Sequence, residues 1–139
     1  VYDNVYVAKV AMGANPAKLI KALKEAEAHK GPSLIIAYAH CINHGIVNGM
    51  GVVQAEQKAA VECGYWPLFR YIPENIAEGK NPFVLDSKEP NGKLREFMMG
   101  EVRFAALQRT FPERAEVLFA QAEEQCVRKY EEYKALAGL

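Results

Sequence analysis

The chain has 139 residues, half of them hydrophobic, with 17 basic and 17 acidic side chains that cancel. That length and apolar content suit one folded domain with a sizeable core, and the neutral balance excludes a dedicated nucleic-acid surface, which shows a basic excess. No apolar run reaches membrane-spanning length and no signal-peptide pattern is present, so the chain reads as soluble and intracellular.

Taken in order, the chain opens at Val1 without Met, and Val5 to Met12 already has a strand's β-branched and aromatic content. This predicts a piece of a longer polypeptide. Asn15 is placed to cap a helix whose first residue is Pro16. Leu19, Ile20, Leu23 and Ala26 share one face of that helix, with lysines on the other. Gly31-Pro32 stops it. The run Leu34 to Ala39 follows without polar alternation and predicts a strand buried on both faces. Strand, helix and strand make a βαβ unit.

Gly45, Gly49 and Gly51 mark a loop, and a helix is expected over Val52 to Cys63, ended by Gly64. Tyr65 to Tyr71 predicts a strand near a sheet edge, because Pro67 cannot donate to a ladder. From Ile72 to Gly92 only Phe83-Val84-Leu85 looks strand-like. Two helical stretches are expected from Leu94 to the end. The first has a stripe through Phe97, Met98, Phe104, Ala105 and Leu107. The second starts at Phe111-Pro112 with a stripe through Ala115, Leu118, Phe119, Ala122, Cys126, Tyr130 and Tyr133. The fold class read from this pattern is α/β, a partial doubly wound parallel sheet with two C-terminal helices. The expected organisation is a single domain, 1–139, with an α/β part (1–93) and a helical part (94–139).

Chemistry concentrates at the end of the second strand, where ligands sit in open α/β sheets. There stand His40, Cys41 and His44. Thiolate and imidazole together suit zinc, copper or iron, but one Cys and two His do not complete a closed four-ligand site. A small stand-alone zinc or interaction module is the alternative reading, and an ordinary loop cysteine the bland one. The three cysteines Cys41, Cys63 and Cys126 lack Cys-x-x-Cys spacing and point to a reducing compartment. Cys63 and Cys126 fall on apolar helix faces and read as inert core thiols. The glycine cluster has neither the dinucleotide nor the P-loop pattern. No catalytic constellation emerges.

Three stretches carry a family resemblance: Ser33-Leu34-Ile35-Ile36-Ala37-Tyr38-Ala39-His40-Cys41-Ile42-Asn43-His44-Gly45-Ile46, Gly64-Tyr65-Trp66-Pro67-Leu68-Phe69-Arg70-Tyr71, and Gly79-Lys80-Asn81-Pro82-Phe83-Val84-Leu85-Asp86-Ser87-Lys88-Glu89-Pro90. Together, in this order, they resemble the pyruvate:ferredoxin (flavodoxin) oxidoreductases, and the resemblance covers essentially the whole chain.

The resemblance implies a large, cytoplasmic, homodimeric parent that oxidises pyruvate with coenzyme A to acetyl-CoA and carbon dioxide. It implies thiamine diphosphate with magnesium and 4Fe–4S clusters as cofactors, and ferredoxin or flavodoxin as electron acceptor. The chain matches the C-terminal part of the thiamine-diphosphate-binding domain. The family's Tyr-x-x-Cys-Ile-x-His-Gly cysteine, a ligand of the cluster nearest the thiamine, falls on Cys41. The other three ligands and the Gly-Asp-Gly magnesium motif have no counterpart here. The chain alone is therefore expected to hold no cofactor, to be inactive, to depend on the remainder of the parent polypeptide, and to self-associate through exposed sheet edges.

Overall fold

The computed structural model describes residues 3–139. It is an α/β fold with helices on both faces of a four-stranded sheet. β1 (Tyr6–Val10) leads into α1 (Pro16–Ala28), and β2 (Ser33–Ala37) returns parallel to β1, pairing Tyr6 with Ser33 through Val10 with Ala37. The N-cap works as expected: the Asn15 side chain accepts from the Lys18 N–H at 3.0 Å, and Pro16 fills the first turn. A short 3₁₀ turn, Met50–Val52, precedes α2 (Val53–Glu62). Gly64, at φ +84°, ends that segment.

The second half of the sheet departs from the parallel plan. β3 (Phe69–Tyr71) runs antiparallel to β1, and β4 (Phe83–Leu85) antiparallel to β3, giving the order β2-β1-β3-β4. The sheet is thus mixed, with one parallel pair. A four-residue helix, α3 (Glu74–Ala77), bridges β3 and β4. That link is short enough for an antiparallel return, whereas a parallel one needs a crossover of a dozen residues or more.

Two expectations about burial are corrected. β2 is not buried on both faces: it is an edge strand, and only Ile35 of its five residues is even half-buried. An apolar run records what a strand prefers against it, not whether the chain supplies that cover. Conversely, β3 lies inside the sheet, between β1 and β4. Pro67 sits two residues before the strand and is fully buried, so its missing donor leaves no gap in the ladder.

The helical part has three helices rather than two. The stretch from Leu94 breaks into α4 (Leu94–Gly100) and α5 (Val102–Thr110), followed by α6 (Pro112–Leu136). One core cluster unites Ala60 and Cys63 with Leu94, Phe97, Met98, Ala115 and Phe119, and so spans both halves of the sequence. Leu118, placed on the apolar stripe by spacing, is 40% exposed; the packed face of α6 runs through Ala115, Phe119, Ala122 and Cys126. Tyr133 continues that line and rests on Phe69 and Phe83, with ring centroids 5.3 and 5.7 Å away. On the opposite face of the sheet, Tyr6, Ala8 and Val10 pack with Ala22 of α1.

A buried ion network ties that second face together. The Arg70 guanidinium grips Asp86 at 2.7 and 3.1 Å and donates to Glu25 at 2.7 Å; Tyr6 donates its hydroxyl to Glu25, and Lys18 donates to Asp86. Burial alone would raise the Asp86 carboxyl, but its bonds to Arg70 and Lys18 outweigh burial and hold it below the usual carboxylate range.

Candidate functional site

The site grows out of the end of β2. The Tyr38 N–H still donates to Val10 at 3.1 Å, extending the ladder one residue past the strand. Its ring then acts as an anchor, 5.1 Å from Trp66 and edge-on to His40 at 4.9 Å. His40 turns inward: its side chain is 3% exposed and its Nε2 lies 2.6 Å from Oε1 of Glu101, equally buried. Cys41 comes next and is exposed, as are Ile42, Asn43 and His44. The chain turns back through Gly45, at φ +69°, whose N–H donates to the Cys41 carbonyl at 3.0 Å. A residue other than glycine is strained there. Ile46 is again buried.

Glu101 holds both ends of this loop. Its carboxylate takes His40 at the start. Its backbone forms an isolated β-bridge with Ile46 at the end, where Val47 N–H donates to Gly100 at 2.8 Å and Val102 N–H donates to Gly45 at 3.3 Å. This bridge is why the helical stretch breaks: Glu101 adopts an extended backbone, φ −92° and ψ 121°, between α4 and α5. Gly100 permits the approach of Glu56, since a Cβ there would lie 2.6 Å from Glu56 Oε1. The exposed thiol therefore rides on a short loop pinned to a helix junction.

The polar atoms behind the loop are incompletely paired. His40 Nδ1 and Glu56 Oε1 are buried without a hydrogen-bond partner. Burial raises the Glu56 carboxyl, and the nearby Glu101 adds to the effect. Arg103 stands 3.6 Å from Glu101 on the outer side. Unpaired buried polar atoms are rare in folded chains and concentrate where structure serves something besides stability.

The remaining candidates separate. Among the described residues no three His, Cys, Asp or Glu side chains gather into a metal-binding group. His40 faces Glu101, while His44 and Cys41 are exposed, so the three are not assembled as a zinc set. Cys63 lies in the core and burial pushes its thiol up to about 11; burial raises Cys126 too. Both are poor thiolate donors. Cys41 is the exposed thiol. Gly49 and Gly51 have open space around them and only connect the loop to α2. Spacing could not reveal Glu101 and Glu56 as members of this site, because both sit in otherwise helical patterns. The one available signal was Gly100, a helix-weakening residue inside an apolar stripe.

No family model matches the chain. Among curated proteins it is 58% identical over 136 residues to the pyruvate:ferredoxin oxidoreductase of Moorella thermoacetica, covering 98% of this chain and 11% of the relative. It is 54% identical over 137 residues to the pyruvate-flavodoxin oxidoreductase of Klebsiella pneumoniae, covering 99% and 12%. It is also 43% identical over 135 residues to the mitochondrial pyruvate dehydrogenase [NADP(+)] of Euglena gracilis, covering 97% and 7%. The chain thus spans about a tenth of the length of the relatives it matches. At this identity over nearly all its residues, the chain is the counterpart of one segment of the pyruvate:ferredoxin and pyruvate-flavodoxin oxidoreductases it matches.

Proposed function

We propose that this chain serves within a pyruvate:ferredoxin or pyruvate-flavodoxin oxidoreductase, as the C-terminal part of its thiamine-diphosphate-binding domain, and that Cys41 supplies one thiolate to a 4Fe–4S cluster. The observation that carries the reading is the exposed Cys41 thiol at the end of a strand, on a loop pinned at both ends by Glu101. An iron–sulfur cluster is held by cysteine thiolates and exchanges single electrons. Cys41 fits as one anchor, being exposed and fixed in place. Cys63 and Cys126 do not fit as the others, because Cys63 is buried in the core cluster formed by α2, α4 and α6 and Cys126 packs against it. The remaining ligands then come from residues outside this chain.

In this reading the chain's residues orient rather than react. His40 and Glu101 set the direction in which the Cys41 loop leaves the sheet. Tyr38, packed between Trp66 and His40, anchors the start of the loop. The chain alone is inactive, and thiamine diphosphate, magnesium and coenzyme A are held by the rest of a cytoplasmic homodimer that passes electrons to ferredoxin or flavodoxin. The shared core cluster supports treating 1–93 and 94–139 as one unit.

The test is Cys41→Ala in the full-length oxidoreductase carrying this segment, purified without oxygen. The expected result is a loss of about four iron atoms per chain, one cluster's worth. Unchanged iron and sulfide content would refute the ligand role.

A further inference from the structure

On the sheet face opposite α1 lies a cavity of about 330 Å³, near the small end of ligand sites. Three cations converge on it, Lys9 from β1, Arg103 from α5 and Lys129 from α6, and no Asp or Glu lines it among the described residues. Its wall is aromatic. Trp66 is fixed by donating its indole N–H to the Val10 carbonyl at 3.0 Å, and the Lys9 ammonium sits 4.0 Å over its ring. Arg103 donates to the Tyr65 hydroxyl at 3.0 Å and, from its other side, pairs with Oε2 of Glu101 at 3.6 Å, which leaves Lys9 and Lys129 as the cations of the cavity without an acid beside them.

These charges oppose one another. Burial first, and then Lys129, push the Lys9 ammonium down to about 8, with no acid offsetting them. Cations held together in a partly dry, aromatic-walled space are costly unless an anion joins them, and charge-assisted hydrogen bonds to an anion are about twice as strong as neutral ones.

We propose that this cavity binds a small organic anion, a phosphate or carboxylate carried on a flat apolar group, with the anion between Lys9, Arg103 and Lys129 and the flat group along the Tyr65–Trp66 wall. The cavity does not include the Cys41 loop, although Tyr38 and Arg103 reach from its wall to His40 and Glu101, and the proposal does not depend on the cluster reading.

Phenyl phosphate, titrated at constant ionic strength into the full-length oxidoreductase carrying this segment with binding heat as the signal, should give a saturable change, and inorganic phosphate a weaker one. Lys9→Gln and Lys129→Gln should each weaken phenyl phosphate by about tenfold or more, the loss of one hydrogen bond to a charged group. Lys129 is exposed on α6, so its replacement leaves the fold intact. Lys88→Gln, outside the cavity, should change nothing. A binding heat that does not saturate, or variants at Lys9 and Lys129 that respond like the unsubstituted enzyme, would overturn the proposal.

Discussion

Two buried polar clusters in this molecule are opposite in completeness. The Arg70 cluster joins α1, β3 and the segment after β4, and its charges meet good partners at 2.6 to 3.1 Å. The His40–Glu101 cluster joins the end of β2 to the α4–α5 junction, yet leaves His40 Nδ1 and Glu56 Oε1 unpartnered. A satisfied buried network specifies and stiffens a fold. An incompletely satisfied one is retained where position matters more than stability. The first cluster is scaffold; the second aims the Cys41 loop.

The largest expected effect tests the scaffold side. Arg70→Leu removes the bidentate partner of Asp86, 8% exposed, leaving it Lys18 alone, and leaves Glu25 with the Tyr6 hydroxyl and the more distant Lys21. Removing one member of a buried pair costs about 3–5 kcal/mol, measurable by denaturant unfolding. A loss below about 1 kcal/mol would erase the distinction between the clusters.

Glu101→Ala should cost less globally, about 2 kcal/mol, the value of a hydrogen bond between buried charged or polar groups. Its effect should be local. Hydrogen exchange should accelerate at the Gly45, Val47 and Val102 amides, which the loop and its bridge protect, while the Tyr38 amide on the β1–β2 ladder stays protected. Uniform acceleration would make Glu101 a general stabiliser instead.

Gly64→Ala should cost about 1–2 kcal/mol, because the residue has φ +84° and a Cβ would lie 2.8 Å from Pro90 Cγ. Urea midpoints measure it, and it should leave exchange in the Cys41 loop unchanged.

The smallest effect is a pH slope. Asp86 is held below its ordinary range, so its contribution is present above the unfolded carboxyl value and is lost as pH falls through the lower folded value. Stability should therefore drop with acid below about pH 4, and Asp86→Asn should flatten that drop. An unchanged slope in the variant would remove Asp86 from the acid response.

Much of this was legible from residue order. Asn15-Pro16 announced the start of α1, Gly64 the end of α2's segment, and Leu34 to Ala39 a strand leading into a thiol-bearing loop. Each is a local signal with a local cause. What failed was relational. β2 reads as buried because its residues are apolar, but its place at the edge depends on which strands lie beside it. Pro67 argued for an edge because the strand's first residue could not be fixed to Phe69. Glu101 stayed invisible because a carboxylate in a helical pattern normally faces water, and only the bridge to Ile46 turns it inward.

The most direct test of the central claim, that Cys41 anchors a cluster, is reduced-state EPR of the full-length oxidoreductase with each of the three cysteines replaced by alanine in turn. The account predicts that one cluster signal is lost or altered with Cys41→Ala and kept with Cys63→Ala and Cys126→Ala. A spectrum from Cys41→Ala that matches the parent enzyme would contradict it.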